Sequence, residues 1–207
     1  MRALCLDLKE YRQDNFAENF LAFSSRLKSR HPNLVFADVT ESLKKFGGEQ
    51  AFLKELQQFN HDFFPNARAA IASTPFLAQV FSRAQEEYFV CPPDQEENHL
   101  NKLPLSELHN FEGLVAWSSQ RQVEDIITFF KVLGFTTIGE IKSFEMSSFH
   151  QRWGKTGELL WKRLHGQERQ IITPIKNNFS RVDHIELQVP ISLNSHLLHC
   201  LESSARQ

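Results

Sequence analysis

The chain has 207 residues, 41% hydrophobic and 23% charged, so it can bury one sizeable core or two small ones and reads neither as a disordered tail nor as a membrane span. Its three cysteines, Cys5, Cys91 and Cys200, lie far apart with no C-x-x-C spacing; this argues against a disulfide framework and a thiolate zinc site and suits a reducing cytoplasm. The net charge of −2 hides an asymmetry, because residues 1–117 carry 12 Lys/Arg against 16 Asp/Glu and residues 118–175 carry 8 against 6. That is far from the dense basic patch of a strong nucleic-acid binder.

Taken in order, residues 2–8 are apolar between charges and predict a buried strand. Phe16, Phe20, Leu21, Phe23 and Leu27 repeat at spacings of three and four, which predicts an amphipathic helix stopped by His31 and Pro32. Residues 33–40 predict a second strand. A helical turn before Gly47 and a helix over 49–59 follow, the latter with Phe52, Leu53, Leu56 and Phe59 on one face. Residues 67–72 predict a third strand, and Thr74 with Pro75 opens a helix to about Gln85. A short fourth strand runs over 88–91. Residues 92–102 are polar and breaker-rich and predict a linker or surface loop. The order of elements is that of a small α/β domain.

Beyond Pro104 the pattern turns helical. Val123, Ile126, Ile127, Phe130 and Leu133 make one apolar face ended by Gly134, and short helices are expected at 138–141, 147–153 and 157–164. Residues 184–189 alternate like a strand and 192–204 suit a last helix.

Two glycine turns carry the first chemical signal. In the segment Leu133–Ile141 a turn with Gly134 and Gly139 joins two helices, as in a helix-hairpin-helix. The amides of Thr136 and Thr137 then lie where a phosphate would gain hydrogen bonds and the positive end of the helix dipole. Gly154, Lys155, Thr156 and Gly157 repeat the device with a cation added. The alternative is that both turns only let short helices pack closely. A P-loop is excluded, because Phe149 stands where that motif needs glycine. No H-E-x-x-H or G-x-S-x-G exists to anchor a metalloprotease or a hydrolase. Trp117, Trp153 and Trp161 read as core or groove-edge residues. Asp7 and Asp38 sit on two predicted strands, either as a facing carboxylate pair or as ordinary strand-end residues.

Several segments, in order, resemble the Y-family DNA polymerases, and especially the ImuB-like accessory proteins. Residues 2–7 look like the first palm strand with its metal-binding aspartate at Asp7. Residues 34–48 resemble the next palm strand, and Ala70–Ala78 the segment that carries a triphosphate-contacting lysine. Leu133–Ile141 and Trp153–Gly157 resemble the helix-hairpin-helix thumb, and Phe179–Leu201 the opening of a little finger. The resemblance implies an α/β palm-like mixed sheet over 1–103 lacking a fingers insertion, a small all-helical thumb over 104–175, and a short little-finger segment over 176–207. It also implies that the catalytic Asp-Glu pair falls on Asn33 and Leu34 and the lysine on Pro75. From these departures the chain is expected to bind no metal and no cofactor and not to be an enzyme. It would be a noncatalytic accessory in translesion synthesis and the SOS response to DNA damage. Weak, sequence-independent contact with the DNA phosphate backbone is expected at Gly134, Thr136, Thr137, Gly139, Gly154, Lys155, Thr156 and Gly157. The partners implied are DNA, an error-prone replicative-type polymerase, a RecA-like protein and the sliding clamp. Two other readings stand beside it: a protein-interaction scaffold that binds no DNA, and a residual metal-dependent nucleotidyl transferase using Asp7 and Asp38.

Overall fold

The computed structural model describes residues 1–9, 19–30, 33–114, 120–167 and 172. Expectations for Phe16, the His31–Pro32 stop, Trp117, Cys200, the strand at 184–189, the helix at 192–204 and the little-finger resemblance fall outside these residues. The chain divides into two units, Met1–Ile175 and Lys176–Gln207.

The first unit is built on a mixed sheet of five strands: β1 (Ala3–Asp7), β2 (Leu27–Arg30), β3 (Leu34–Asp38), β4 (Arg68–Ala72) and β5 (Tyr88–Val90). Their order is β2-β3-β1-β4-β5, with β1 antiparallel to both neighbours and β5 parallel to β4. Strand β1 is buried along its whole length, which is why its sequence is a continuous apolar run rather than an alternation. Cys5 and Ala3 face one cluster and Leu4 and Leu6 the other.

Between β3 and β4 lie α1 (Ser42–Phe46) and α2 (Glu49–Phe63); α2 buries Phe52, Leu53 and Leu56 on one face of the sheet. That face is strongly aromatic: Phe23 stacks on Phe46 at 5.7 Å, and Phe46 meets Phe52 edge-on at 5.1 Å. The opposite face is covered by α3 (Pro75–Ala84).

Two expectations fail here. Phe20, Phe23 and Leu27 are not on one helix. Residues 19–23 form a short turn that drops Phe20 and Phe23 into the aromatic cluster, and Leu27 begins β2 opposite Ala37. The stretch 92–102 is not simply a loop. Glu96–Lys102 is α4, held down by buried Leu100 and by Glu96, whose carboxylate accepts from Arg2 and from the Ser73 amide.

A 3₁₀ helix (Leu105–Leu114) leads to α5 (Gln120–Val132), α6 (Ile138–Ile141) and α7 (Met146–Leu164). The expected apolar face of α5 is buried at Val123, Ile126, Ile127 and Phe130, but Leu133, one residue past the helix, is 51% exposed. The two expected helices at 147–153 and 157–164 form one continuous element broken at Gly154, whose φ of 58° and ψ of −139° are not helical. Helix α6 packs against α4, and the Ile138 amide donates to Leu103 O at 2.8 Å while the Leu105 amide donates to Thr136 O at 2.9 Å. One hydrophobic cluster runs from the α3 face of the sheet through Leu105 and Leu108 to Ile126, Phe130 and Phe149. No described helix is long and apolar enough to cross a membrane.

Candidate functional site

Asp7 ends β1 with its side chain 6% exposed. Oδ1 accepts from the Lys9 amide and from Asn33 Nδ2, each at 3.0 Å. Oδ2 accepts from Arg83 Nε at 2.6 Å. Arg83 reaches it from the last turn of α3, a helix end where a cation is also favoured by the dipole. Arg68, opposite Asp7 in the β1–β4 register, donates to Arg83 O at 3.0 Å and to Gln85 O, so it caps the same helix end. Lys9 takes a φ of 51°, and its carbonyl accepts from Asn33 Nδ2 at 3.3 Å. Behind this group, burial pushes the Cys5 thiol up to about 12.

Leu34 lies opposite Asp7 across β1–β3 and is 1% exposed in the core, so it offers apolar surface where the resemblance expects a carboxylate. Pro75 opens α3 at a position whose N–H would have no helical partner anyway, and the Thr74 side chain caps that helix by accepting from the Leu77 amide at 3.2 Å. Asp7 and Asp38 do not face each other. The register pairs Ala3 with Asp38 and Asp7 with Leu34, so the two carboxylates lie at opposite ends of the sheet. Asp38 accepts from the Thr40 hydroxyl at 2.6 Å and faces Arg26 at 3.5 Å. The facing-carboxylate reading is corrected on that ground.

The second candidate lies in the helical part. Gly134 ends α5 with a φ of 89°, as a C-terminal glycine should. The donors that follow are not free: the amides of Thr136 and Thr137 donate to the Glu140 carboxylate at 2.7 and 2.9 Å. A carboxylate therefore already sits where a phosphate was expected. Those two backbone bonds hold Glu140 below the usual carboxylate range. Gly139 serves packing, since a Cβ there would come within 2.8 Å of Asn101. The expectation of a phosphate site at Gly134–Gly139 is thus corrected: its amides are satisfied internally.

The turn at Gly154 is different. Lys155 projects into solvent, and the Thr156 hydroxyl donates to Gln122 Oε1 at 3.3 Å. A Cβ at Gly157 would fall on the Phe149 carbonyl oxygen, so only glycine lets the two halves of α7 approach. Just before the turn, the Arg152 guanidinium lies 3.7 Å from the Phe129 ring centre. It borders an open hollow of about 600 Å³ that Phe129, Phe149 and Trp153 also line. Arg152 was missed in the sequence, though its place beside Lys155 in one basic turn was visible there.

No family model matches the chain. Over 160 residues it is 28% identical to DNA polymerase IV of Yersinia pseudotuberculosis, an alignment that takes in 76% of this chain and 42% of that protein. The chain is homologous to the Y-family DNA polymerases. The fold agrees. A DinB family error-prone DNA polymerase from Sulfolobus solfataricus superposes with a TM-score of 0.59 at 11% identity, over 83% of this chain and 68% of that one. A Y-family DNA polymerase chimera superposes at 0.56 with 14% identity, over 76% and 44%. The mixed α/β sheet matches the Y-family palm, and the chain spans less than half the length of the curated relatives it matches.

This kinship overturns the expectation that the chain is not an enzyme: the relatives are DNA polymerase IV, an enzyme, across three quarters of the chain, and they point to a polymerase. The metal pair that Y-family chemistry implies is a separate matter. Two divalent ions need several anionic oxygens, and Asp7 is one carboxylate, already held by Arg83, Asn33 and the Lys9 amide. Among the described residues no three His, Cys, Asp or Glu side chains come together to hold a metal. The described residues do not fit that pair, and no step of phosphoryl transfer follows from them.

Proposed function

We propose that this chain works on DNA in translesion synthesis during the response to DNA damage, as a Y-family polymerase-type protein. Its palm-like part would be residues 1–103, its thumb-like part 104–175 and its little-finger-like part 176–207. The observation that carries the reading is the alignment with DNA polymerase IV over 160 residues. Contact with DNA is assigned to the Gly154 turn, where Lys155 is exposed and Arg152 stands beside it. With a net charge of −2 for the whole chain, affinity is low and sensitive to salt.

Fluorescence anisotropy with primer-template DNA, at low and moderate salt, tests this. Wild type binds at low salt, and Lys155→Ala lowers the salt slope by about 1. Lys155→Glu weakens binding further. No binding at low salt would sink the assignment. Exposed Val132 (79%) and Leu133 (51%) favour a second reading for that outcome, docking of a protein partner such as a replicative-type polymerase, a RecA-like protein or the clamp.

A further inference from the structure

We propose that Arg83 is the palm's built-in cation: its guanidinium occupies the place beside Asp7 that a divalent ion would take, and such an ion reaches Asp7 only by displacing it. Three observations converge on this. Both oxygens of a nearly buried carboxylate are engaged, Oδ2 by Arg83 Nε at 2.6 Å and Oδ1 by Asn33 Nδ2 and the Lys9 amide at 3.0 Å. The groups around it favour a monovalent organic cation over a metal. Arg68 brings a second guanidinium to the same helix end, and Leu34 withholds a second carboxylate. Finally, Arg83 is positioned rather than loosely paired, because it rises from the last turn of α3 and its own carbonyl is bound by Arg68.

The physics is one of charge and solvation. A buried carboxylate needs a counter-charge, and a planar guanidinium supplies one with directed hydrogen bonds and little dehydration cost. Mg²⁺ or Mn²⁺ brings twice the charge but needs about six oxygens and loses its water reluctantly. With one carboxylate available among the described residues and two arginines nearby, the guanidinium wins. Removing it reverses the balance: Asp7 loses the cation bound to its Oδ2 and keeps only neutral donors, the Asn33 amide and the Lys9 N–H.

The test uses Mn²⁺ alone as the probe and the full chain without DNA, so it is independent of whether the Gly154 turn binds DNA. The electron paramagnetic resonance signal of free hydrated Mn²⁺ reports uptake, and circular dichroism reports folding. Wild type is expected to show no saturable uptake that depends on Asp7, and its melting temperature is expected to be the same in Mn²⁺ and in EDTA. Arg83→Gln is expected to take up Mn²⁺ at least about tenfold more tightly and to melt higher with the ion than without it. The double variant Arg83→Gln with Asp7→Asn is expected to lose that gain. If Arg83→Gln is unfolded in EDTA, restoration of its fold by Mn²⁺ is the same result. Saturable uptake by wild type that Asp7→Asn abolishes would overturn the proposal. So would an Arg83→Gln chain that neither gains Mn²⁺ nor is rescued by it.

Discussion

Glu140 shows how one side chain decides what a turn can bind. Its carboxylate accepts from the amides of Thr136 and Thr137 and from the Thr136 hydroxyl, the last at 3.3 Å. These bonds hold its pKa below the ordinary value of about 4.3 for a glutamate. A depressed folded-state value means stabilisation that is present above the unfolded-state value and lost as pH falls through the folded one. Glu140→Gln should therefore lower the melting temperature at pH 7, and the gap to wild type should close below the ordinary glutamate range. An equal gap at all pH values would show that the charge is not what matters. Thr137-x-x-Glu140 is a capping-box pattern visible in the sequence, and weighing it there would have removed the Gly134–Gly139 phosphate site. Asp7 is the opposite case. Its place at a strand end was legible, but its partner Arg83 lies 76 residues away and is brought near only by the return of α3 across the sheet.

At the level of elements, α7 depends on two glycines for different reasons. Gly154 supplies a left-handed turn in open space, whereas Gly157 lets the backbone pass against Phe149. Gly157→Ala should destabilise by roughly 1–3 kcal/mol through overpacking. Gly134→Ala, which meets no neighbour, should cost about 1 kcal/mol from its positive φ alone. Urea midpoints measure both, and a Gly157→Ala chain as stable as wild type would show that α7 can open without loss. Elements were legible where one physical rule dominated. Strand β1 reads correctly because continuous burial leaves a continuous apolar run, and α3 because Thr74 and Pro75 mark its start. Strand β2 was misread because the spacing of Phe20, Phe23 and Leu27 imitates a helix, while two of them serve an aromatic cluster assembled from α1 and α2. Helix α4 was misread because its stability comes from Arg2 and Ser73, distant partners of Glu96, and not from its own polar sequence.

For the first unit as a whole, the cluster that covers one face of the sheet continues into the helices that follow it. Leu105 is fully buried in it, on the 3₁₀ helix between sheet and α5. The backbone bonds from Leu105 to Thr136 and from Ile138 to Leu103, with the Lys142–Glu97 ion pair at 2.8 Å, tie the same boundary. The sheet and the helices α3 to α7 should therefore open as one cooperative block. In native-state hydrogen exchange, Leu105→Ala should lower the protection of β1 and α5 amides by the same amount, about 3 kcal/mol. Loss confined to α5 would show that the helical part opens by itself. Sequence patterns marked where the α/β character gives way to the helical one. They did not show this continuity, which depends on contacts between residues 31 to 45 positions apart.

Arg2 stands at the head of the central strand, and its side chain meets Glu49 at 2.5 Å, Glu96 at 3.1 Å, Ser73 at 3.4 Å and the Cys91 carbonyl at 2.7 Å. On the ribosome these partners emerge one after another, the last of them 94 residues after Arg2 itself. At roughly 5–20 residues per second that is a wait of about 5–20 s. Early in that wait β1 has two bare edges; it gains a neighbour on one side when residues 34–38 appear and on the other only with residues 68–72. Residues 3–7 thus wait for a partner strand on each side, so during synthesis this apolar strand needs a chaperone's cover until residues 68–72 have emerged.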